Sequence, residues 1–136
     1  LPTAKQRKPL PQKETVLLLL MHQQKLLLEK RPSSGIWGEL WCPPETETGV
    51  DIASYCHDHL GIQIQSAIQL PALDHQFTHY KLRIHPQLLS VTSGSFIEKN
   101  EFIWIKPCDA LERAIPTPVR KLLKQNFLSN HHTLTI

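Results

Sequence analysis

The first strongly patterned stretch is Thr15 to His22, which is apolar at almost every position. A short run without alternation suits a strand buried on both sheet faces. Gln23-Gln24 interrupts it, and Lys25 to Arg31 returns as a second strand, so the pair reads as a hairpin. Pro32-Ser33-Ser34-Gly35 opens a loop that leads through Trp37-Gly38 to Leu40-Trp41-Cys42-Pro43. Val50 to Leu60 reads as a helix. Thr48 would cap it with Asp51 three residues on, Ala53, Cys56 and Leu60 would face inward, and Gly61 would stop it.

Further along, Phe77 to His85 alternates as one strand. Phe77, His79, Lys81, Arg83 and His85 share a face, while Thr78, Tyr80, Leu82 and Ile84 share the other. Glu101 to Ile105 is a further strand. Thr117 and Pro118 read as the cap and first residue of a last helix that buries Val119, Leu122, Leu123 and Phe127 and wets Arg120, Lys121 and Lys124. No internal repeat is visible. Strands, helix, strands, helix predict an α/β (α+β) sandwich around a mixed sheet, with two main helices.

Composition narrows the class. A chain of 136 residues, 40% of them apolar, fits one domain with one core. The longest apolar run, Val16 to Met21, is too short to cross a bilayer, and no basic-then-apolar leader opens the chain. A first residue of Leu1 rather than methionine suggests a piece of a longer protein. Cys42, Cys56 and Cys108 form no Cys-x-x-Cys pair and no zinc pattern with the histidines, which suits idle thiols in a reducing compartment. The net charge of +3 is unevenly placed. Four of the 15 bases, Lys5, Arg7, Lys8 and Lys13, lie in residues 1–13 with no acid beside them, leaving 11 bases against 12 acids. With Pro2, Pro9 and Pro11 this arm reads as an extended connector, and its charge suits tracking of phosphates.

Convergent chemistry is scarce. No serine sits in a Gly-x-Ser-x-Gly elbow, and no phosphate loop occurs. His57 and His59 point to different faces of a helix, and Glu45 and Glu47 read as surface acids, so no catalytic and no metal residue is assigned.

Two stretches resemble the MutY family. Lys30-Arg31-Pro32-Ser33-Ser34-Gly35-Ile36-Trp37-Gly38-Glu39-Leu40-Trp41-Cys42-Pro43-Pro44 is similar to a family segment reading Arg-Pro-x-x-Gly-Leu-Trp-Gly-Gly-Leu-Trp/Tyr-x-Phe-Pro. Phe77-Thr78-His79-Tyr80-Lys81-Leu82 resembles that family's Phe-Ser-His-Phe-x-Leu loop. Lys5 to Gln12 resembles its interdomain connector, and Pro116-Thr117-Pro118-Val119 the start of its final helix. The four occur in the family's order and span nearly the whole chain.

The resemblance implies a Nudix-like α/β/α sandwich, with a connector at 1–13, the domain at 14–130 and a tail at 131–136. A working Nudix hydrolase reads Gly-x5-Glu-x7-Arg-Glu-U-x-Glu-Glu-x-Gly-U, with U apolar and the carboxylates on magnesium. Aligned on Gly61-Ile62, Tyr55 and His59 stand for two of the glutamates, Ser54 for the arginine and Thr46 for the earlier glutamate. Asp58 alone keeps a carboxylate, too few for a cation that wants several hard oxygens.

What the resemblance further implies is inspection of 8-oxoguanine in double-stranded DNA by the C-terminal domain of an adenine DNA glycosylase. Phe77, Thr78, His79, Tyr80 and Lys81 would meet the lesion, with Thr78 in place of the family serine, and Lys5, Arg7, Lys8 and Arg31 would meet the backbone. Oxidation adds a hydrogen at N7 and an oxygen at C8, and a hydroxyl donates and accepts at once. The catalytic domain and its 4Fe–4S cluster would lie upstream, with no cofactor in this stretch and a cytoplasmic, nucleoid-associated location. Two rivals remain: a catalytically dead Nudix-like protein-interaction domain, and an active nucleotide pyrophosphohydrolase.

Overall fold

The computed structural model describes residues 9–94 and 102–128. The connector residues Lys5, Arg7 and Lys8 and the tail at 131–136 lie outside them. Strand β1 (Gln12–His22) forms the centre. It pairs in parallel with β7 (Lys81–Gly94) from Gln12↔Lys81 to Met21↔Ser90, and antiparallel with β2 (Lys25–Lys30) at Met21↔Leu26. Strand β3 (Trp41–Cys42) continues outward from β2, and β5 (Ile62–Gln69) lies beyond β7. Three further strands pair off this path, β4 (Glu45–Thr46) on β1, β6 (Leu73–Gln76) on β7 and β8 (Phe102–Ile105) on β2. One parallel pair among antiparallel ones makes the sheet mixed, as expected.

The apolar run of β1 is buried from Thr15 to Leu20 because both faces of the sheet are covered. Alternation sends its side chains to two separate cores. Leu17 and Leu19 join Leu26, Leu28, Leu82 and Ile84 under Val119, Leu122 and Leu123 of α3 (Thr117–Asn126). Val16, Leu18 and Leu20 join Leu27, Leu89 and Val91 against Cys56 and Leu60. Helical layers on both faces give the expected α/β/α sandwich. Beside α3 lies a short helix, α2 (Pro107–Ala110), which contributes Ala110 to the first core.

Several local expectations need correction. The first helix begins at Ile52 and is α-helical only to Tyr55 (α1), then continues as a π-helical turn from Cys56 to Leu60. Asp51 occupies the N-cap, where Thr48 was expected, and Ser54 donates to its carboxylate at 2.7 Å. Ala53 is exposed; Ile52 and Tyr55 pack inward with Cys56 and Leu60 instead. Gly61 does end the helix, with φ +65. In α3 the cap is Pro116 and Thr117 is already helical, one residue earlier than expected. The strand expected across Phe77–His85 starts only at Lys81, because Phe77–Tyr80 forms the turn between β6 and β7. Strand β1 begins at Gln12, so Gln12 and Lys13 belong to the sheet.

Candidate functional site

The two stretches that carry the resemblance lie about 40 residues apart in sequence, and the fold joins them on one surface. β6 and β7 pair from Leu73↔Ile84 to Gln76↔Lys81, which forces the four intervening residues to reverse the chain. Phe77 N–H donates to Tyr80 O at 2.8 Å and closes the turn. The two rings stack at 4.8 Å and 28°, and both pack on the first core. Thr78 and His79 are left exposed at the crest.

The turn is clamped from both ends. On one side the Phe77 ring meets Trp37 at 5.9 Å and the edge of His75 at 4.7 Å. Behind Trp37 stands the Arg31 guanidinium, 6.0 Å from the indole. On the other side Lys13 Nζ lies 4.4 Å over the Tyr80 ring, and Lys81 N–H donates to Pro11 O at 2.9 Å. Arg31, Trp37, Phe77, Tyr80 and Lys13 thus form a ladder of rings with a cation at each end. Burial, and then the Glu45 charge, raise the Tyr80 phenol above its ordinary range, so it stays neutral.

The five candidate lesion contacts therefore divide. Phe77 and Tyr80 are supports; Thr78, His79 and Lys81 are exposed. Arg31 is placed differently from the expected backbone contact. Its side chain is 13% exposed, and Nη2 lies 2.6 Å from Glu45 Oε1. That approach is an ion pair, and Nε is buried with no hydrogen-bond partner among the described residues. Glu45 also accepts from Thr15 Oγ1, which ties β1 to β4 beneath the loop. The basic face of β7 is largely neutralised. Arg83 makes a two-pronged contact with Asp74 at 2.9 and 3.1 Å, which holds the Asp74 carboxyl below its usual range, and His85 meets Glu14 at 2.7 Å. Residues His75 and Lys13 were not assigned to this site from sequence. Alternation would have put His75 on Phe77's face, whereas nothing in the sequence brings Lys13 to Tyr80.

The other region of interest is the helical segment Ile52–Leu60. Tyr55 and His59 stack ring on ring at 4.5 Å and 20°. Burial, then the Glu29 charge, raise the Tyr55 phenol. Cys56 is buried in the second core with its thiol pushed up to about 11 by desolvation. Thr46 is buried, and its hydroxyl donates to Glu47 O at 3.0 Å. Asp58 is exposed beside His57 at 3.1 Å. Stacked rings, a hydroxyl turned to backbone and one exposed acid do not fit a divalent cation of the magnesium type. Among the described residues no three His, Cys, Asp or Glu side chains converge as a metal site. An open cleft of about 340 Å³ is lined by Lys13, Glu14, Thr15, Ile36, Glu45, Thr46, Glu47 and Leu82, none of them from this helical segment.

A family model described as NUDIX domain matches residues 15–125. The chain belongs to the NUDIX domain family. Within that fold it is similar to the MutT protein from Methanosarcina mazei, with TM-score 0.72 and 15% identity over 88% of this chain and 95% of that one. Among curated sequences it is similar to two proteins named adenine DNA glycosylase. One, from Buchnera aphidicola subsp. Acyrthosiphon pisum, is 29% identical over 91% of this chain and 35% of its own length. The other, from Buchnera aphidicola subsp. Baizongia pistaciae, is 29% identical over 90% and 35%. The NUDIX chain thus spans about a third of these relatives. Among the described residues, no helix is long and apolar enough to cross a membrane.

Proposed function

We propose that this NUDIX domain is the C-terminal lesion-reading part of an adenine DNA glycosylase that acts on adenine opposite 8-oxoguanine. The observation that carries the reading is the exposed Thr78–His79 crest, held on stacked rings and flanked by Lys81. A base edge in duplex DNA is met by short polar groups on a rigid projection, and the ladder beneath the turn supplies rigidity. The Thr78 hydroxyl donates to the C8 oxygen or accepts from the N7 hydrogen that oxidation introduces, while His79 supplies a second polar contact. Lys81 and the connector bases Lys5, Arg7 and Lys8 add phosphate contacts that carry no sequence information. Arg31 is assigned to the support of the turn.

In this reading the excision chemistry belongs to the remainder of the parent protein, and the domain catalyses nothing alone. The lost carboxylate positions at Tyr55 and His59 support that assignment. The test is made in the full-length parent. Thr78→Ala combined with His79→Ala is expected to reduce the preference for adenine opposite 8-oxoguanine over adenine opposite guanine by about 1–3 kcal/mol, the size of a base-edge contact. Thr78→Ser is expected to be nearly silent, because the hydroxyl remains. Equal losses on both substrates would reduce the turn to a general DNA holdfast and refute the reading.

A further inference from the structure

The loop from Pro32 to Leu40 is built at a conformational cost. Trp37 has φ +57 and Glu39 φ +64, in the left-handed region that bulky side chains avoid. The loop is closed at its base by Arg31 N–H to Leu40 O at 2.9 Å and Glu39 N–H to Arg31 O at 3.0 Å. Gly38 is pressed against the opposite limb. A Cβ there would lie 2.4 Å from Ser33 O and 3.1 Å from Pro32 O, both backbone atoms that cannot step aside. The surroundings thus over-determine the backbone at Trp37, which is how a disfavoured conformation persists in a folded protein.

That conformation aims the indole at the turn. Trp37 meets Phe77 at 5.9 Å and 44° and His75 at 6.3 Å and 57°, and the Arg31 guanidinium lies 6.0 Å from the indole. Phe77 is the residue whose amide closes the turn, and its ring carries Tyr80. Trp37 is thus separated by a single ring from the backbone on which Thr78 and His79 stand.

We infer that Trp37 is a positioning residue for lesion recognition: the strained loop sets the indole, and the indole sets the crest. The inference rests on the reading of Thr78 and His79 as the lesion contacts. It separates Trp37 from the half-buried Trp41, which lies across from Lys30 in β2 with Arg113 over its ring and has no ring contact with the turn.

The experiment uses Trp37→Gly, because glycine accepts φ +57 freely and removes the ring while relieving the backbone, with Trp37→Phe as the conservative partner. In the full-length parent, single-turnover excision of adenine opposite 8-oxoguanine and opposite guanine is measured. Trp37→Gly is expected to lower the ratio of the two rates by about fivefold or more, the low end of a base-edge contact. Trp37→Phe should recover most of it, and in the Thr78→Ala, His79→Ala background Trp37→Gly should change the ratio no further. If Thr78→Ala with His79→Ala collapses the ratio but Trp37→Gly leaves it intact, or slows both substrates equally, the positioning role is overturned and the function stands. If the Thr78→Ala, His79→Ala variant keeps the full ratio, the functional reading itself fails. Amide exchange on this chain separates the cases further. Trp37→Gly should reduce protection of the Phe77 amide by about tenfold and spare the Ile84 amide in β7. An unchanged Phe77 amide would show that the indole does not hold the turn.

Discussion

The turn at Phe77–Tyr80 and the helical segment at Ile52–Leu60 both carry a stacked aromatic pair, yet they use it in opposite ways. In the turn the rings of Phe77 and Tyr80 pack on the core and leave the polar residues Thr78 and His79 in solvent. In the helix the rings of Tyr55 and His59 occupy two of the positions where the NUDIX motif has acids, and they satisfy each other. One stack leaves polar side chains exposed beside it, and the other is itself made of the side chains at the surface. The comparison teaches that the same contact can support a site or fill one, depending on what the backbone leaves exposed.

The buried thiols give the largest expected effect. Cys42 sits in the core under the turn and Cys56 in the core under the helix. Desolvation pushes Cys42 up to about 12 and Cys56 to about 11, from an ordinary 9.0. Since the raised pKa keeps both thiols neutral, at pH 8 their alkylation should be slower than that of a thiol at the ordinary value by roughly a thousandfold for Cys42 and a hundredfold for Cys56 on thiolate content alone. Reaction should set in only as pH climbs toward those values. Counting modified cysteines by mass in the native protein checks this; rapid labelling of Cys56 would mean that the helix opens.

Glycine replacements sharpen the contrast between the two supports. Gly38→Ala drives a Cβ into the backbone of Ser33 and should cost about 1–3 kcal/mol, read from the denaturation midpoint. Gly49→Ala, on the approach to the helix, meets no atom within 4 Å and should cost only the left-handed backbone term at φ +84, about 1 kcal/mol. Equal losses would show that the loop at Gly38 yields more readily than its contacts indicate.

Next in size is the ring pair of the helix. Tyr55→Leu keeps apolar bulk but loses the stack on His59, and should cost about 0.5–1.5 kcal/mol of stability with no change in lesion preference. A change in preference would tie the helix to recognition and dissolve the distinction drawn above. The smallest effect is expected from the connector. Replacing Lys5, Arg7 and Lys8 with glutamine should flatten the log–log salt dependence of DNA binding by up to about three contacts, with a slope near −0.9 for each. An unchanged slope would leave the connector as a spacer.

How far these regions were legible depended on whether neighbours in space were neighbours in pattern. The apolar run of β1 and the stripe of α3 were readable, since burial there follows a simple period. Alternation alone reads the turn as strand and puts Phe77 and Tyr80 on opposite faces, whereas the family resemblance marks it as a loop, and the chain reversal brings the two rings within 4.8 Å. The break of the helix into a π-helical turn at Cys56 had no signal in residue type. Strand β5 does carry a strand pattern, Ile62, Ile64 and Ile68 alternating with polar positions, but the alternation is short and irregular: its pairing shifts register at Ile64 and only Ile62 is fully buried. Ala53 failed as an inward residue because the helix starts later and winds differently than a uniform period assumes.

By itself the sequence determined the layered α/β class, the central strand and the last helix. These follow from residue type, and hydrophobic period constrains local structure strongly. Only the tertiary structure decided that Arg31 turns inward to Glu45, that Trp37 adopts a left-handed backbone and that Lys13 caps the ring of Tyr80. Those outcomes depend on contacts between segments far apart in the chain. Such contacts set side-chain direction through packing against distant partners, and no local pattern encodes where those partners lie.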